Sequence, residues 1–164
     1  MKELHLAAYN ADAGQVRNLL QAGGDPNGYD EHGYTPLLWA AFRGAVGDQL
    51  PVVQALLEAG ADIEAVTRAG DSTVSMLAVQ SGNEALVRAL AERGAGIDRP
   101  ADEVTPLMVA ARRGDLRMVQ TLLGLGADPK LRAGSYRAAD YARYGGHDPV
   151  AELLGSLCED APTQ

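Results

Sequence analysis

The residues of this 164-residue chain that could support chemistry are three histidines, one cysteine and pairs of adjacent acids such as Asp30–Glu31 and Asp102–Glu103. His5, His32 and His147 are far apart in the sequence, and no Cys-x-x-Cys motif or metal-ligand spacing accompanies them. The acid pairs Asp30–Glu31 and Asp102–Glu103 fall in predicted loops, where we expect solvated charges and no surrounding pocket. The pattern predicts no catalytic residue, no metal site and no cofactor, and we expect that the chain is not an enzyme.

Composition excludes several other classes of function. Cys158 is the only cysteine, so no internal disulfide can form, which favours a reducing compartment. The formal net charge of −8 argues against non-specific binding of nucleic acid. No apolar run approaches the roughly 20 residues that span a bilayer, and the N-terminus does not resemble a signal peptide. We therefore expect a cytoplasmic protein that binds neither nucleic acid nor membrane.

The elements that must position these residues follow a repeated pattern. The segment TPLLWAAFRG at 35–44 recurs closely as EVTPLMVAARRG at 103–114. It recurs more weakly as DSTVSMLAVQSG at 71–82 and SYRAADYARYGG at 135–146. A second pattern stays in step with the first, and its copies are NLLQAGGDPN at 18–27, ALLEAGADIE at 55–64, ALAERGAGID at 89–98 and TLLGLGADPK at 121–130. Such self-similarity predicts an array of repeats.

Each repeat is predicted to contain two helices. Thr35 and Thr105 can cap a first helix, and Pro36 and Pro106 suit its first position, where an N–H is not needed. Spacings of i, i+3 and i+4 give the second helices an apolar stripe: Val53, Leu56 and Leu57; Val119, Leu122 and Leu123; Val150, Leu153, Leu154 and Leu157. Gly60, Gly94 and Gly126 follow these helices as left-handed caps. We expect Trp39 to pack in the core.

This pattern resembles the ankyrin repeat, whose hallmarks are a Thr-Pro-Leu-His stretch, Ala-Ala, Gly-His, Leu-Leu and Gly-Ala-Asp in a unit of about 33 residues. The resemblance covers about residues 2–157. It implies an all-α, ankyrin-type solenoid of about five helix–turn–helix repeats with projecting hairpin-like loops. The implied single domain is 1–157, with units at about 2–27, 28–63, 64–97, 98–129 and 130–157, and a C-terminal tail at 158–164.

The chain departs from the family pattern at several places. About four extra residues lie within 44–51, either as a functional loop or as drift in a solvent-facing turn, and we expect Pro51 to start the helix that follows. Val74 and Ser75 stand where the family has Pro and Leu, and Arg137 and Ala138 stand where it has Thr and Pro. We therefore expect poorer capping of the two helices that begin there. The usual His of Thr-Pro-Leu-His is absent, and Leu38, Met76, Met108 and Asp140 stand at its positions. By the resemblance His147 and His5 are structural, and His32 lies on a loop.

The resemblance implies that partners bind to a concave face formed by the loop tips and the exposed side of each first helix. Carried over to this sequence, that face contains Tyr29, Glu31, His32, Tyr34, Phe42, Arg43, Arg68, Ser72, Gln80, Arg112, Arg113, Arg132, Tyr136, Arg143 and Tyr144. Aromatic residues and arginine are enriched at binding hot spots. The arginines collect on this face although the chain is acidic, which predicts a protein partner with an acidic patch.

The sequence therefore predicts a non-enzymatic module for protein–protein interaction, monomeric by itself. Its arginine-rich, lysine-poor composition favours a bacterial source, and a stand-alone repeat protein of that kind can act as a dedicated inhibitor or an immunity protein. A general scaffold or adaptor is the alternative. A small-ligand binder or enzyme that uses a pocket between loops, and a self-assembling array, remain further alternatives. Charged terminal units argue against the array.

Overall fold

The N-termini of the helices are set by short polar side chains that accept backbone hydrogen bonds. In the computed structural model, which describes residues 1–158, the hydroxyls of Thr35, Thr73 and Thr105 accept the N–H three residues later, at 3.1–3.3 Å. Asp12, Asn83 and Asp115 do the same for second helices. Such caps stabilise a helix by about 1 kcal/mol each. The predicted tail at 158–164 lies outside the described residues except for Cys158.

Residues 1–158 contain ten α-helices in two compact units, 1–96 and 97–158. The first unit contains α1 Glu3–Tyr9, α2 Ala13–Gln21, α3 Pro36–Phe42, α4 Leu50–Glu58, α5 Val74–Ser81 and α6 Glu84–Glu92. The second contains α7 Pro106–Arg113, α8 Leu116–Gly124, β1 Arg132–Ala133, β2 Tyr136–Arg137, α9 Ala138–Tyr144 and α10 Asp148–Ser156. The all-α class and the helix–turn–helix pairs are confirmed. The single domain predicted over 1–157 stays a prediction.

Capping differs from expectation at the two atypical first helices. The prediction of a poorer cap for α5 is wrong, because Thr73 caps it whatever residue follows. The side chain of Arg137 gives α9 no cap, as expected. The Asp140 carboxylate instead accepts the backbone N–H of Arg137 at 2.9 Å and so satisfies one donor at this helix start. Neither helix depends on the Thr-Pro pair.

Small residues allow the first helices to pack closely within each unit. In the first unit α3 lies between α1 and α5, and in the second α7 packs against α9. The alanines at these contacts, Ala8, Ala40, Ala41, Ala78, Ala110, Ala111 and Ala142, are completely buried. Apolar residues at the usual histidine position are buried too, as expected: Leu38, Met76 and Met108. The core of each unit therefore runs along its row of first helices.

The second helices bury the predicted stripes with one exception. Val53, Leu56, Val119 and Leu122 are buried, and Leu57 and Leu123 are half-buried. The assignment of Leu157 to the stripe is wrong, because α10 ends at Ser156 and the Leu157 side chain is 44% exposed. The apolar stripe of α10 is therefore shorter than predicted.

The loops between repeats are hairpin-like, as expected. Val66 pairs with Thr73 and Ala101 with Val104 as single antiparallel bridges, and β1 and β2 form a short antiparallel ladder. The connection between α3 and α4 is 43–49, and it contains most of the segment 44–51 in which the extra residues were predicted. It is tied to the next repeat, because the Asn83 side chain donates to the Gly44 carbonyl oxygen at 2.6 Å. α4 begins at Leu50, one residue before the predicted Pro51.

Two histidines have structural positions. His5 is buried in α1, and its Nε2–H donates to the Gly28 carbonyl oxygen at 2.8 Å. Burial lowers the pKa of His5 below its usual value, although this hydrogen bond and the charge of Asp30 oppose the effect. His147 precedes α10, and its ring fills the space beside Gly114 and Gly145.

The close approach of His147 to Gly114 gives a stability prediction. Gly114 has a left-handed φ of 68°, and an added Cβ would overlap the His147 ring, whereas Gly126, with φ of 93°, has open space at that position. We expect Gly126→Ala to lower the free energy of unfolding by about 1 kcal/mol, the cost of the left-handed backbone. Gly114→Ala should lower the free energy of unfolding by about 1–3 kcal/mol more than Gly126→Ala, because the added methyl group overpacks the contact with His147. Urea unfolding followed by circular dichroism measures both, and equal losses would contradict the contact.

Burial of His5 gives a pH prediction for the first unit. Because its pKa is lowered in the folded state, the neutral form is favoured, and stability declines as pH falls from about 6.5 through the folded pKa. Urea unfolding monitored by the fluorescence of Trp39, the only tryptophan, should show this loss as the pH is lowered below about 6.5. In the His5→Gln variant the free energy of unfolding should depend less on pH. In the control His32→Gln, which changes an exposed side chain, the pH dependence should remain. Identical pH profiles for all three proteins would disprove the assignment.

Candidate functional site

All of the predicted contact residues are exposed or half-buried, and they divide between the two units. Those of the first unit are Tyr29, Glu31, His32, Tyr34, Phe42, Arg43, Arg68, Ser72 and Gln80. Those of the second are Arg112, Arg113, Arg132, Tyr136, Arg143 and Tyr144. Their role in binding stays a prediction. The structure does show which of them lie together within each unit.

Five rings form one cluster in the first unit, which we call the aromatic cluster: Tyr9, His32, Tyr34, Trp39 and Phe42. Tyr34 stacks on Trp39 with the ring centroids 4.4 Å apart and the planes at 24°. Tyr9, His32 and Phe42 meet Trp39 edge-on at 5.4, 5.9 and 5.8 Å. Phe42 is 45% exposed and also meets Tyr34 at 6.2 Å. These offset and edge-on arrangements are the favourable ones for aromatic pairs.

Trp39 is the centre of the aromatic cluster, and its predicted place in the core is wrong. The side chain is half-buried, and its indole Nε1–H donates to Asp30 Oδ2 at 2.8 Å. That hydrogen bond satisfies the only polar atom of the ring while one face remains available to its aromatic neighbours. The local sequence offered no sign of this, because the partner Asp30 belongs to the preceding loop.

Asp30 is buried, so its predicted place as a solvated loop charge is also wrong. Besides Trp39, its carboxylate accepts the backbone N–H groups of His32 at 2.9 Å and Tyr34 at 3.1 Å. Burial alone raises the pKa of Asp30, but these hydrogen bonds outweigh it and hold the pKa below its usual value. The ionised carboxylate thus fixes both the loop and the tryptophan ring. Its neighbour Glu31 is exposed and pairs with the N-terminal ammonium group.

The two predicted contact arginines of the first unit, Arg43 and Arg68, lie against aromatic rings. The guanidinium carbon of Arg43 is 4.3 Å from the centroid of Tyr9, and that of Arg68 is 5.2 Å from the centroid of Tyr29. Arg68 also belongs to a contact between successive loops, because its backbone N–H donates to the Gly33 carbonyl oxygen at 2.8 Å. Both arginines are therefore held by cation–π contact on this surface.

The predicted residues of the second unit form three groups. Arg112 and Arg113 are exposed in the last turn of α7. Tyr136 and Tyr144 meet edge-on, with ring centroids 5.5 Å apart. Arg132 and Arg143 instead line a cavity together with Arg137, a residue that was not among the predicted contacts. The register of the short β ladder places Arg137 opposite Arg132, which the sequence did not reveal.

The described part of the chain contains neither a metal-ligand cluster nor a helix that could span a membrane. Among residues 1–158 there is no group of three or more His, Cys, Asp or Glu side chains that could hold a metal ion. Within the same residues no helix has both the length and the apolar character needed to cross a membrane.

Comparison with known proteins agrees with this architecture. A family model described as ankyrin repeats (3 copies) matches residues 3–67, 45–133 and 75–159. The chain is 32% identical to Inversin of Canis lupus familiaris over 123 residues, 74% of the chain. It is 29% identical to the Nuclear factor NF-kappa-B p105 subunit of Gallus gallus over 160 residues, 77% of the chain. It is 40% identical to Ankyrin repeat domain-containing protein 63 of Homo sapiens over 114 residues, 66% of the chain.

The match concerns the repeats and not the whole of these relatives. The chain spans 11%, 16% and 29% of the lengths of the three proteins. The family model nevertheless covers most of the chain, and the helix pairs have the architecture that it implies. Ankyrin repeats are in general non-enzymatic modules for protein–protein interaction. The chain belongs to the ankyrin-repeat family, with an all-α, ankyrin-type solenoid fold.

Proposed function

We propose that this protein binds a partner protein through the loop tips and first helices of its repeats. The observation that carries the proposal is the aromatic cluster, with its half-buried Trp39 and exposed Phe42. Burial of apolar surface contributes roughly 25 cal/mol of free energy for each Å² removed from water. The exposed parts of these rings do not make that contribution in the monomer. A partner that covers Phe42 and Trp39 would recover it.

The aromatic cluster is also rigid enough to bind without reorganisation. Trp39 is held by the hydrogen bond to Asp30 and by the stacked ring of Tyr34. Fixed rings lose little side-chain entropy on association, so more of the contact energy becomes affinity. Tryptophan, tyrosine and arginine are the residue types most often found at binding hot spots. The cluster and Arg43 together supply all three.

Charge indicates the character of the partner. The chain has a formal net charge of −8, yet Arg43, Arg68, Arg112 and Arg113 occupy the proposed binding positions. Arginine holds carboxylates in a two-pronged arrangement, and complementary charge steers association. We therefore propose that the partner has an acidic patch. We also propose that the protein is cytoplasmic and that it is a monomer by itself.

We further propose that binding silences the partner, so that the protein is a dedicated inhibitor or an immunity protein. This proposal rests on the arginine-rich, lysine-poor composition and on the absence of metal-ligand clusters among residues 1–158. The alternative is a scaffold or adaptor. A tight one-to-one complex in which the partner loses its activity supports the inhibitor, and a complex that leaves that activity intact supports the adaptor.

Charge reversal at Arg112 and Arg113 tests the proposed face. Both side chains are exposed at the end of α7, so the double Arg→Glu variant should keep the melting temperature within about 2 °C. Capture from a lysate of the source cell, followed by mass spectrometry, should yield a near-stoichiometric protein with wild type and lose it with the variant. Arg17→Glu with Arg93→Glu makes the same change in net charge on α2 and at the end of α6, and should retain the partner. Equal capture by all three proteins would remove these arginines from the site.

Truncation of Phe42 tests the aromatic cluster with the captured partner. Phe42→Ala removes an exposed ring, and we expect affinity to fall by at least about 2 kcal/mol, roughly 30-fold, as for a hot-spot residue. Leu50→Ala in α4, where the side chain is 37% exposed, is the matched control and should change affinity less than threefold, or about 0.6 kcal/mol. Titration monitored by Trp39 fluorescence measures both. Unchanged affinity of Phe42→Ala would rule out the cluster as the anchor.

A further inference from the structure

Three arginines of the second unit line one cavity, which we call the arginine cavity. Arg132 lies on β1, Arg137 on β2 and Arg143 in α9, and Asp140, Gly155 and Cys158 complete the wall. Arg143 extends across the pair of helices, since its Nη2 lies 3.7 Å from the position that a Cβ on Gly155 would take. The cavity is therefore built from the β hairpin and from both helices of the last pair.

The β hairpin brings two of these positive charges close together. Arg132 and Arg137 are directly opposite partners in the antiparallel ladder. Like charges in directly opposed positions destabilise a strand pair. An anion between the two guanidinium groups would turn this repulsion into attraction.

Asp140, the one acid that the described residues contribute to the cavity wall, does not neutralise this pair. Asp140 Oδ1 accepts from Arg143 Nη1 at 2.9 Å, and Oδ2 accepts the backbone N–H of Arg137 at 2.9 Å. Arg132 Nη1 donates to a neutral acceptor, the Ser135 carbonyl oxygen, at 2.8 Å. Nε of Arg137 is buried and donates to no acceptor among the described residues. A buried N–H without an acceptor is costly, so the Arg137 guanidinium group is not fully satisfied by the described residues.

The charge of the cavity matches a dianion. Among residues 1–158 its wall contains three arginines and one aspartate, hence a formal charge of +2, in a chain whose net charge is −8. Guanidinium groups present paired N–H donors that fit the oxygens of a phosphate group. A lone carboxylate would neutralise only half of this charge.

We propose that the arginine cavity binds a phosphate group, carried by a small molecule or by a phosphorylated side chain of a protein. The site is separate from the aromatic cluster, so it does not depend on the function proposed above. It includes Arg132 and Arg143, which the sequence placed on the partner-binding face, and Arg137, which the sequence did not select.

Isothermal titration of the full chain with inorganic phosphate tests the site. We expect saturable binding that weakens about tenfold or more in Arg132→Gln, because a charge-assisted hydrogen bond to the ligand is lost. Arg17→Gln is the matched control, since Arg17 is exposed in α2, outside the cavity wall and outside the predicted contact residues, and it should bind like wild type. Absence of saturable binding to wild type, or equal affinity in the two variants, would overturn the proposal.

A second measurement uses Cys158, the only cysteine, as a reporter in the cavity wall. Its thiol donates to the Pro129 carbonyl oxygen at 3.4 Å and is half-buried. Saturating phosphate should slow its reaction with an uncharged disulfide reagent in wild type and in Arg17→Gln, but not in Arg132→Gln. Protection that persists in Arg132→Gln would place the bound phosphate elsewhere.

Two short peptides separate the possible sources of the phosphate group. One contains a central phosphoserine, and the other has glutamate in its place. Tighter binding of the phosphoserine peptide than of inorganic phosphate supports a phosphorylated protein, and the reverse order supports a small molecule. If the glutamate peptide binds as tightly as the phosphoserine peptide, the site does not select phosphate and the proposal is wrong.

Discussion

The structure depends on one constraint: a single pair of short helices cannot bury its own apolar face. Each first helix has only seven or eight residues, too few for stability in isolation. The helices are stable because alanines with no exposed surface, such as Ala40 in α3 and Ala78 in α5, allow neighbouring backbones to pack closely. Every repeat therefore needs a neighbour, and the stability of each unit is shared along its row of helices.

Hydrogen bonds between loops set the register of this packing. The Asn27 side chain donates to the Gly60 carbonyl oxygen at 2.9 Å and accepts the N–H of Asp62 at 2.7 Å. The Asp98 carboxylate accepts the N–H of Asp128 at 3.1 Å in the second unit. In both places a polar residue at the end of one repeat satisfies the backbone of the next, so the repeat spacing and the hydrogen bonds reinforce each other.

The loops also position the aromatic cluster and the arginine cavity, and they do so differently in the two units. In the first unit the buried Asp30 holds Trp39 and the aromatic rings around it. In the second unit a β hairpin sets Arg132 against Arg137. Loop side chains are free to differ because the helices alone satisfy the packing constraint. One scaffold therefore supports an aromatic surface in one unit and a cationic cavity in the other.

The sequence by itself determined the repeat, the all-α class, the threonine caps and most of the buried stripe, because these follow from spacings of a few residues within one helix. Only the tertiary structure decided that Asp30 is buried, that Trp39 is the centre of a surface cluster and that Arg137 joins Arg132 and Arg143. Those contacts join different helices and loops. Their geometry depends on how the elements pack and on strand register, which local periodicity does not contain.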